Sequence, residues 1–486
     1  MKNPNGNLAI YIFSICLVLY FFSVKGFLEV SDSYYSLETA EAIAAHGQLQ
    51  IPYSAGYTLQ GPGNRSYSKY GFGLVLYYLP IVAAGDALVR GVAGAAPLFD
   101  GFLLSFVNIP FVILALVVFD KLLHWFEVPR VFGALCVLGL GLGTLAWRYA
   151  CYGFSEGMQM GLLMLAVYAL IRRTPRVMIV GGIAFGWLFL VKQVYVAYLP
   201  VLLVYLITRP EELRGRIRKT ALFLFPLILA GAFDLWLNLI RFGNPFESGY
   251  GSEASEFYPV QMWRTLPALL GSLDKGLLVF CPILVLGLFG WRAFARQHRA
   301  EAVLCGVLIV ENLLITAAWH SWEGGWCWGP RFLVPMIPLW LLPAAFLYRE
   351  WQSRKLRWTI AITVAVSVVT QIPGVLVADR EIHTIKEGML TPAEQASAPS
   401  DYVAAWILLK HKLVDRNEIY TTSELGIPGD REINLDQEPT FPGMNLWTEH
   451  IAHFVKGSAV EWLPLFGLIL IVYWAVQACR SLKATT

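Results

Sequence analysis

Asp32 stands only a few residues past the first long apolar run, in the stretch EVSDSYYSLETAEAIAAHGQLQIP. A carboxylate at a membrane face is well placed to act as a general base on a hydroxyl nucleophile, because a partly dry site raises its pKa toward the working range. Asp and Ser at 31–33 are equally good helix N-caps, and SLETAEAIAAHG reads as a short helix ending at Gly47. Tyr34, Glu38, Glu41 and His46 lie along the same stretch. A second acid, Glu156 in RYACYGFSEGMQ (148–159), opens a helix, where it complements the dipole and can face Asp32 across an outer cleft. Five cations sit at predicted membrane edges: Lys69 in YSKYGFGLVLYYLP, Lys192 in FLVKQVY, Arg241 in NLIRFGNPFESGYG, Lys275 in SLDKGLLVFCP, and Arg331. Each alone reads as a snorkelling anchor. Together they suit an anionic ligand arriving in the outer leaflet.

Arg331 belongs to WHSWEGGWCWGPRFLVP (319–335), a connection between two apolar runs that holds four tryptophans, a histidine and a glutamate. The Gly-Gly turn and the Gly-Pro step before Arg331 can fix a guanidinium at headgroup level, and guanidinium is the better fork for phosphate oxygens. The tryptophans anchor the loop in the interface and can stack on a sugar ring. An ordinary aromatic belt accounts for them equally well, but explains Arg331 less readily. Trp322, Trp326, His320, Glu323 and Tyr34 are the candidate sugar or acceptor contacts.

The elements that must position these residues are membrane helices. Of the 486 residues, 57% are hydrophobic and 15% charged, and apolar runs of about 20 residues recur along the chain. Candidate spans are roughly 8–28, 98–119, 131–147, 155–171, 177–191, 194–208, 219–240, 276–291, 302–319, 332–348, 359–378 and 459–479. The basic connections fall on one side only if 71–92 does not cross. That run carries Pro80, Gly85, Asp86 and Arg90, and is expected to be a broken re-entrant or interfacial helix. The expectation is an all-α polytopic membrane protein of about 12 crossings plus this one half-buried helix. It divides into a catalytic module at 1–378 with its first outer loop at 29–70, an outer cap at 379–458, and a last helix with a cytoplasmic tail at 459–486. Within the cap, YVAAWILLKHKL (402–413) has an amphipathic pattern that suits a membrane surface. A formal charge of +3 gives no footprint for nucleic acid. The seven cysteines form no metal spacing and read as buried free thiols, with pairing of Cys151 and Cys327 open.

Several stretches together resemble the GT-C superfamily of membrane glycosyltransferases, bacterial relatives of protein O-mannosyltransferases and lipid A aminoarabinose transferases. They are SDSYYSLETAEAIAAHGQL, YSKYGFGLVLYYLP, GLGTLAWRYACYGFSEG, NLIRFGNPFESGY, DKGLLVFCPILVL and WEGGWCWGPRFLVPMIPL, in that order from residue 31 to about 340. The resemblance implies a polyprenyl-phosphate-linked sugar donor drawn from the membrane lipids, an acceptor on the extracytoplasmic side of a bacterial cytoplasmic membrane, and an acid in the first outer loop. That role falls on Asp32, and a second outer carboxylate on Glu156. Relatives often pair acids in the first loop, whereas Ser31 and Ser33 flank Asp32 here. A divalent cation, Mg2+ or Mn2+, is therefore an open requirement, and Glu29 or Glu38 stand as helpers. The donor phosphate falls to Arg331, aided by Lys275, Lys69 or Lys192. Two other readings remain at this point. Asp234 and Glu311, ionisable residues inside predicted spans, suit a transporter or flippase. A polysaccharide polymerase or ligase would use the same lipid-linked sugars.

Overall fold

A computed structural model describes residues 4–28, 30–88, 95–350, 353–414, 419–434, 444, 446–449 and 462–483. Glu29, Arg90 and much of 435–461 lie outside these. Among the described residues, six helices are long and apolar enough to cross a membrane: Phe99–Trp125, Leu213–Phe242, Arg299–Ala318, Arg331–Glu350, Arg354–Leu376 and Leu463–Ser481. Five shorter apolar helices accompany them, at Leu8–Ser23, Gly73–Leu88, Arg130–Leu142, Pro175–Val191 and Gln193–Thr208. The helix Glu156–Arg172 is buried along almost its whole length. Its Gly161 lets the backbone approach the Phe111 carbonyl, where an added Cβ would stand 2.4 Å away. Small residues permit this close packing of apolar helices, and here it sets the depth of Glu156.

One expected span and the expected half-buried helix take a different form. Residues 276–291 make a short helix, Leu277–Phe280, then a break, then Leu284–Gln297. Pro282 lacks the amide hydrogen that would carry the ladder across the break. Conversely, the break expected around Pro80 is absent, and Gly73–Leu88 is one helix with Pro80 inside it. The proline removes one ladder hydrogen bond, but Tyr78 and Val82 beside it are fully buried and hold the flanking turns.

The first outer loop contains the helix Ser31–His46, closed by Gly47 at φ +63°. It starts earlier than the sequence pattern indicates, at Ser31, and its cap is Val30 with no side-chain hydrogen bond. Asp32 therefore lies within the first turn, not at the cap. An antiparallel hairpin follows, Thr58–Gly61 with Arg65–Ser68, in register Thr58↔Ser68.

The described part of the cap holds short helices at Asp379–His383 and Pro392–Gln395, the helix Asp401–Val414, and a second small hairpin, Ile419–Thr421 with Glu432–Asn434. The amphipathic stretch does not lie free on a bilayer surface. Its Ala405, Leu408 and Leu409 are buried within the protein, and Tyr402 stacks on Trp328 at 5.9 Å. A buried ion pair, Arg148 to Asp379 at 2.7 Å, ties the start of the cap to the helical body.

Candidate active site

The first turn of Ser31–His46 is held from two sides. Ser33 Oγ donates to the Gly153 carbonyl, and Tyr70 donates to Ser31 Oγ at 2.8 Å. Asp32 is thereby fixed at the positive end of a helix, 7% exposed, with Oδ2 3.6 Å from Arg331 Nη1. That ion pair is longer than a hydrogen bond. Among the described residues nothing donates to the carboxylate, so its lone pairs are open to a proton donor.

Arg331 follows Pro330 and begins a 3-10 turn, Arg331–Met336. Its guanidinium lies 4.0 Å from the Phe154 ring and 4.7 Å from the Phe332 ring, a geometry that favours a cation over the π faces. Nε and Nη1 are buried and make no hydrogen bond among the described residues. Donors in that condition cost free energy unless something accepts from them. The Gly-Gly turn brings the loop onto this side chain. Gly324 has φ +79°, and a Cβ there would sit 2.7 Å from Arg331 Cγ.

Glu156 is the first residue of its helix and fully buried. Its Oε1 is 3.3 Å from Lys192 Nζ, while Oε2 is buried without a partner among the described residues. Lys192 ends the helix Pro175–Val191 and lies 4.3 Å over Phe332. The turn after it is anchored by Tyr195, which donates to Gln159 at 2.8 Å. Asn108 fixes the turn before Glu156: it donates to the Tyr152 and Phe154 carbonyls, both at 2.6 Å, and accepts from Met158 N at 3.0 Å. Asp32, Arg331, Glu156 and Lys192 thus form two ion pairs around Phe154 and Phe332, drawn from four separate elements.

The other candidates are distributed around this centre. Lys69 pairs with Glu253 at 2.9 Å and faces Tyr250 at 5.3 Å. Sequence patterns did not single out Tyr70 and Tyr250, yet both feel the Asp32 charge. Burial first, then Asp32, pushes their phenols above the usual range, so both remain hydrogen-bond donors. Arg241 is committed to structure, donating to Ser68 O at 3.2 Å and Asn238 Oδ1 at 2.7 Å. Lys275 is also engaged: its ammonium donates to Cys327 O at 2.7 Å and pairs with Asp401 at 3.6 Å. His320 pairs with Glu256 at 3.4 Å, and Tyr34 is exposed at the edge of Tyr35. Trp328 is core, while Trp322, Glu323, Trp326 and Lys275 line a separate cavity of about 460 Å³. Cys151 and Cys327 are both buried free thiols.

Asp234 accepts from Gln193 at 2.8 Å and Asn238 at 3.0 Å, and is buried among them. Packing of this kind marks a structural role, not a lining position on a water path. Glu311 is half-buried, with Oε2 unpartnered. Among the described residues no group of three or more His, Cys, Asp or Glu side chains converges as a metal would require. Each carboxylate of the centre faces a cation, Asp32 facing Arg331 and Glu156 facing Lys192.

The arrangement of helices that carries these residues is shared, as a fold, with solved structures of other proteins. The protein is an integral membrane protein of that architecture. Among solved structures, ArnT from Cupriavidus metallidurans bound to undecaprenyl phosphate matches 97% of this chain and 77% of its own, with TM-score 0.52 and 15% identity. The same enzyme in the apo state matches with TM-score 0.51 and 16% identity. The oligosaccharyltransferase of Archaeoglobus fulgidus matches 77% of this chain and 55% of its own, with TM-score 0.51 and 11% identity. At these identities the likeness is one of fold. No family model and no curated protein sequence matches the chain.

Proposed function

We propose that the protein is a glycosyltransferase that moves a sugar, with inversion, from a polyprenyl-phosphate-linked donor to an extracytoplasmic acceptor, which is a lipid, a glycan or a protein. In this reading about 12 helices cross a bacterial cytoplasmic membrane, 71–92 is a re-entrant or interfacial helix, and the site faces the periplasm. One observation carries the proposal. Among the described residues, a buried guanidinium with two N–H groups lacking acceptors stands 3.6 Å from a carboxylate that accepts no hydrogen bond. The first is a phosphate site and the second a base. The fold shared with ArnT, a structure of which holds undecaprenyl phosphate, supports the same donor class.

Asp32 takes the proton from the acceptor hydroxyl as its oxygen bonds to the anomeric carbon. The bond from that carbon to the phosphate oxygen breaks, and the electron pair leaves with the polyprenyl phosphate. Arg331 stabilises the charge that builds there, with Lys192 and Lys69 at the rim, which is electrostatic catalysis by preorganised donors. Glu156 holds Lys192 in place. Tyr250 flanks the base as a neutral donor to sugar oxygens, while Tyr70 donates its hydrogen bond to Ser31. Lys275, bound to a loop carbonyl and to Asp401, keeps the Trp-rich loop in position and does not act on the phosphate. No step needs a metal.

Mass analysis of envelope glycans and lipid-linked sugars tests the reading in cells with and without the gene. Deletion is expected to remove one sugar from the envelope and to accumulate its lipid-linked form. Complementation with wild type should reverse both, and Asp32→Asn should reverse neither. Unchanged glycans on deletion would refute the assignment.

A further inference from the structure

The cavity of about 460 Å³ is walled on one side by Trp322, Glu323 and Trp326 of the Trp-rich loop and on the other by residues of the cap, among them Lys386, Glu387 and Asp401. That size falls within the range of about 300–1,000 Å³ typical of small-molecule sites. The walls are tied together. Lys275 donates to Cys327 O and pairs with Asp401, and Lys386 donates to Asp401 at 2.7 Å. Trp326 stacks on His383 at 5.4 Å and 5°, with Nε1 donating to Glu387 at 3.1 Å. The cations are therefore spent on holding the walls. The rest of the lining includes the indoles of Trp322 and Trp326 and the carboxylate of Glu323, while Asp274 accepts from Asp401 N at 2.9 Å and Glu387 from Trp326. Four acids line the cavity against two lysines and a histidine, so its lining is net negative.

Such a lining rejects phosphate and suits a polyhydroxy ring. Indole faces pack against the C–H face of a sugar, and carboxylates accept from neighbouring hydroxyls at roughly twice the strength of neutral acceptors. The cavity also adjoins the catalytic centre through one turn of chain. Gly325 lines it, while Gly324, the next residue, touches Arg331. Resting on the function proposed above, we infer that this cavity is the acceptor subsite, that it takes a saccharide end bearing no anionic group, and that the segment 379–401 exists to complete it.

The test is saccharide binding to the purified full chain in nanodiscs, without donor, followed by tryptophan fluorescence and ligand-observed NMR. The probes are neutral disaccharides, the glucosamine disaccharide, digalacturonate and undecaprenyl phosphate. A neutral or amino disaccharide is expected to bind, with affinity weakened at least tenfold by Trp326→Ala and by Glu323→Gln. Glu323 is exposed, so its variant keeps the test open should Trp326→Ala fail to fold. Tight binding of digalacturonate, competition by undecaprenyl phosphate, or disaccharide binding that survives both substitutions would overturn the inference. So would a wild-type protein that transfers sugar yet binds none of the saccharides, an outcome that leaves the transferase reading standing.

Discussion

Neutralising Asp32 has two separable consequences, one for folding and one for chemistry. At 3.6 Å and an effective dielectric of about 20, the attraction between Asp32 and Arg331 is about 4–5 kcal/mol before desolvation is counted. Asp32→Asn removes it and leaves a buried guanidinium whose remaining anion, Glu156, is already held by Lys192. Breaking a buried pair from one side costs about 3–5 kcal/mol, because the surviving charge is uncompensated. A loss near 3 kcal/mol is expected, since both side chains keep some contact with solvent. Replacing both partners, Asp32→Asn with Arg331→Met, removes the stranded charge and keeps an unbranched side chain against Phe154. The double variant should return to within about 1 kcal/mol of wild type. Activity behaves differently, because a general base contributes about 10²–10⁴-fold. The single and the double variant should both lose at least about 100-fold. Thermal unfolding of the purified proteins reads the first effect, and mass analysis of transferred sugar in complemented cells reads the second. A double variant no more stable than Asp32→Asn would refute the ion-pair reasoning. An Asp32→Asn protein with wild-type transfer would refute the base.

Three further outcomes follow from local geometry. Gly324→Ala and Gly325→Ala both place a side chain at positive φ and should each cost about 1–2 kcal/mol in thermal unfolding, but only Gly324→Ala displaces Arg331 and should cut transfer tenfold or more. Asn108→Ala removes three buried hydrogen bonds beneath Phe154 and is expected to cost about 2–3 kcal/mol, read by the same unfolding assay. Glu41 is pushed up from 4.5 to about 7, first by burial and then by Asp100, Glu38 and Asp86. Its folded form binds the proton more tightly than the unfolded chain, so stability is full below about 4.5 and declines as pH rises to about 7. Glu41→Gln should flatten that slope and leave the variant more stable than wild type at pH 8, as a melting series across pH will show.

Much of the site was legible because polarity is conspicuous beside apolar runs. Asp32, Glu156, Lys192 and Arg331 each stand where a hydrophobic segment ends, and the structure gathers all four. The Gly-Gly turn signalled a chain reversal, and both glycines do have positive φ. The start of the first-loop helix was less legible, since its cap is Val30, whose side chain offers no hydrogen bond, while Ser31 and Asp32 look like caps. A lysine at a membrane edge reads the same whether it meets a ligand or a carbonyl. The partners of Lys275 are Cys327 and Asp401, distant in sequence and invisible to periodicity. The attachment of the cap was hidden for the same reason. It runs through long-range ion pairs such as Arg148 to Asp379, and short polar segments carry no pattern that announces them.

The close approach of Asp32 and Arg331 places a constraint on the reaction itself. In an inverting displacement the base and the group that receives the leaving charge stand on opposite faces of the anomeric carbon. Inverting glycosidases keep their two carboxyl groups about 6.5–9.5 Å apart to leave room for the attacking molecule. The 3.6 Å pair is too short to enclose a sugar carbon and an acceptor oxygen. Binding of the donor must therefore part it, with Arg331 turning its unpartnered Nε and Nη1 toward phosphate and surrendering Asp32 to the acceptor hydroxyl. In the closed pair the Arg331 stem lies against Gly324 and its guanidinium lies 4.0 and 4.7 Å from the Phe154 and Phe332 rings. A structure with a lipid phosphate bound is expected to show the pair separated by at least about 6 Å. If the pair stays closed while phosphate binds at Lys192, then Lys192 is the leaving-group cation and Arg331 serves only to hold the base.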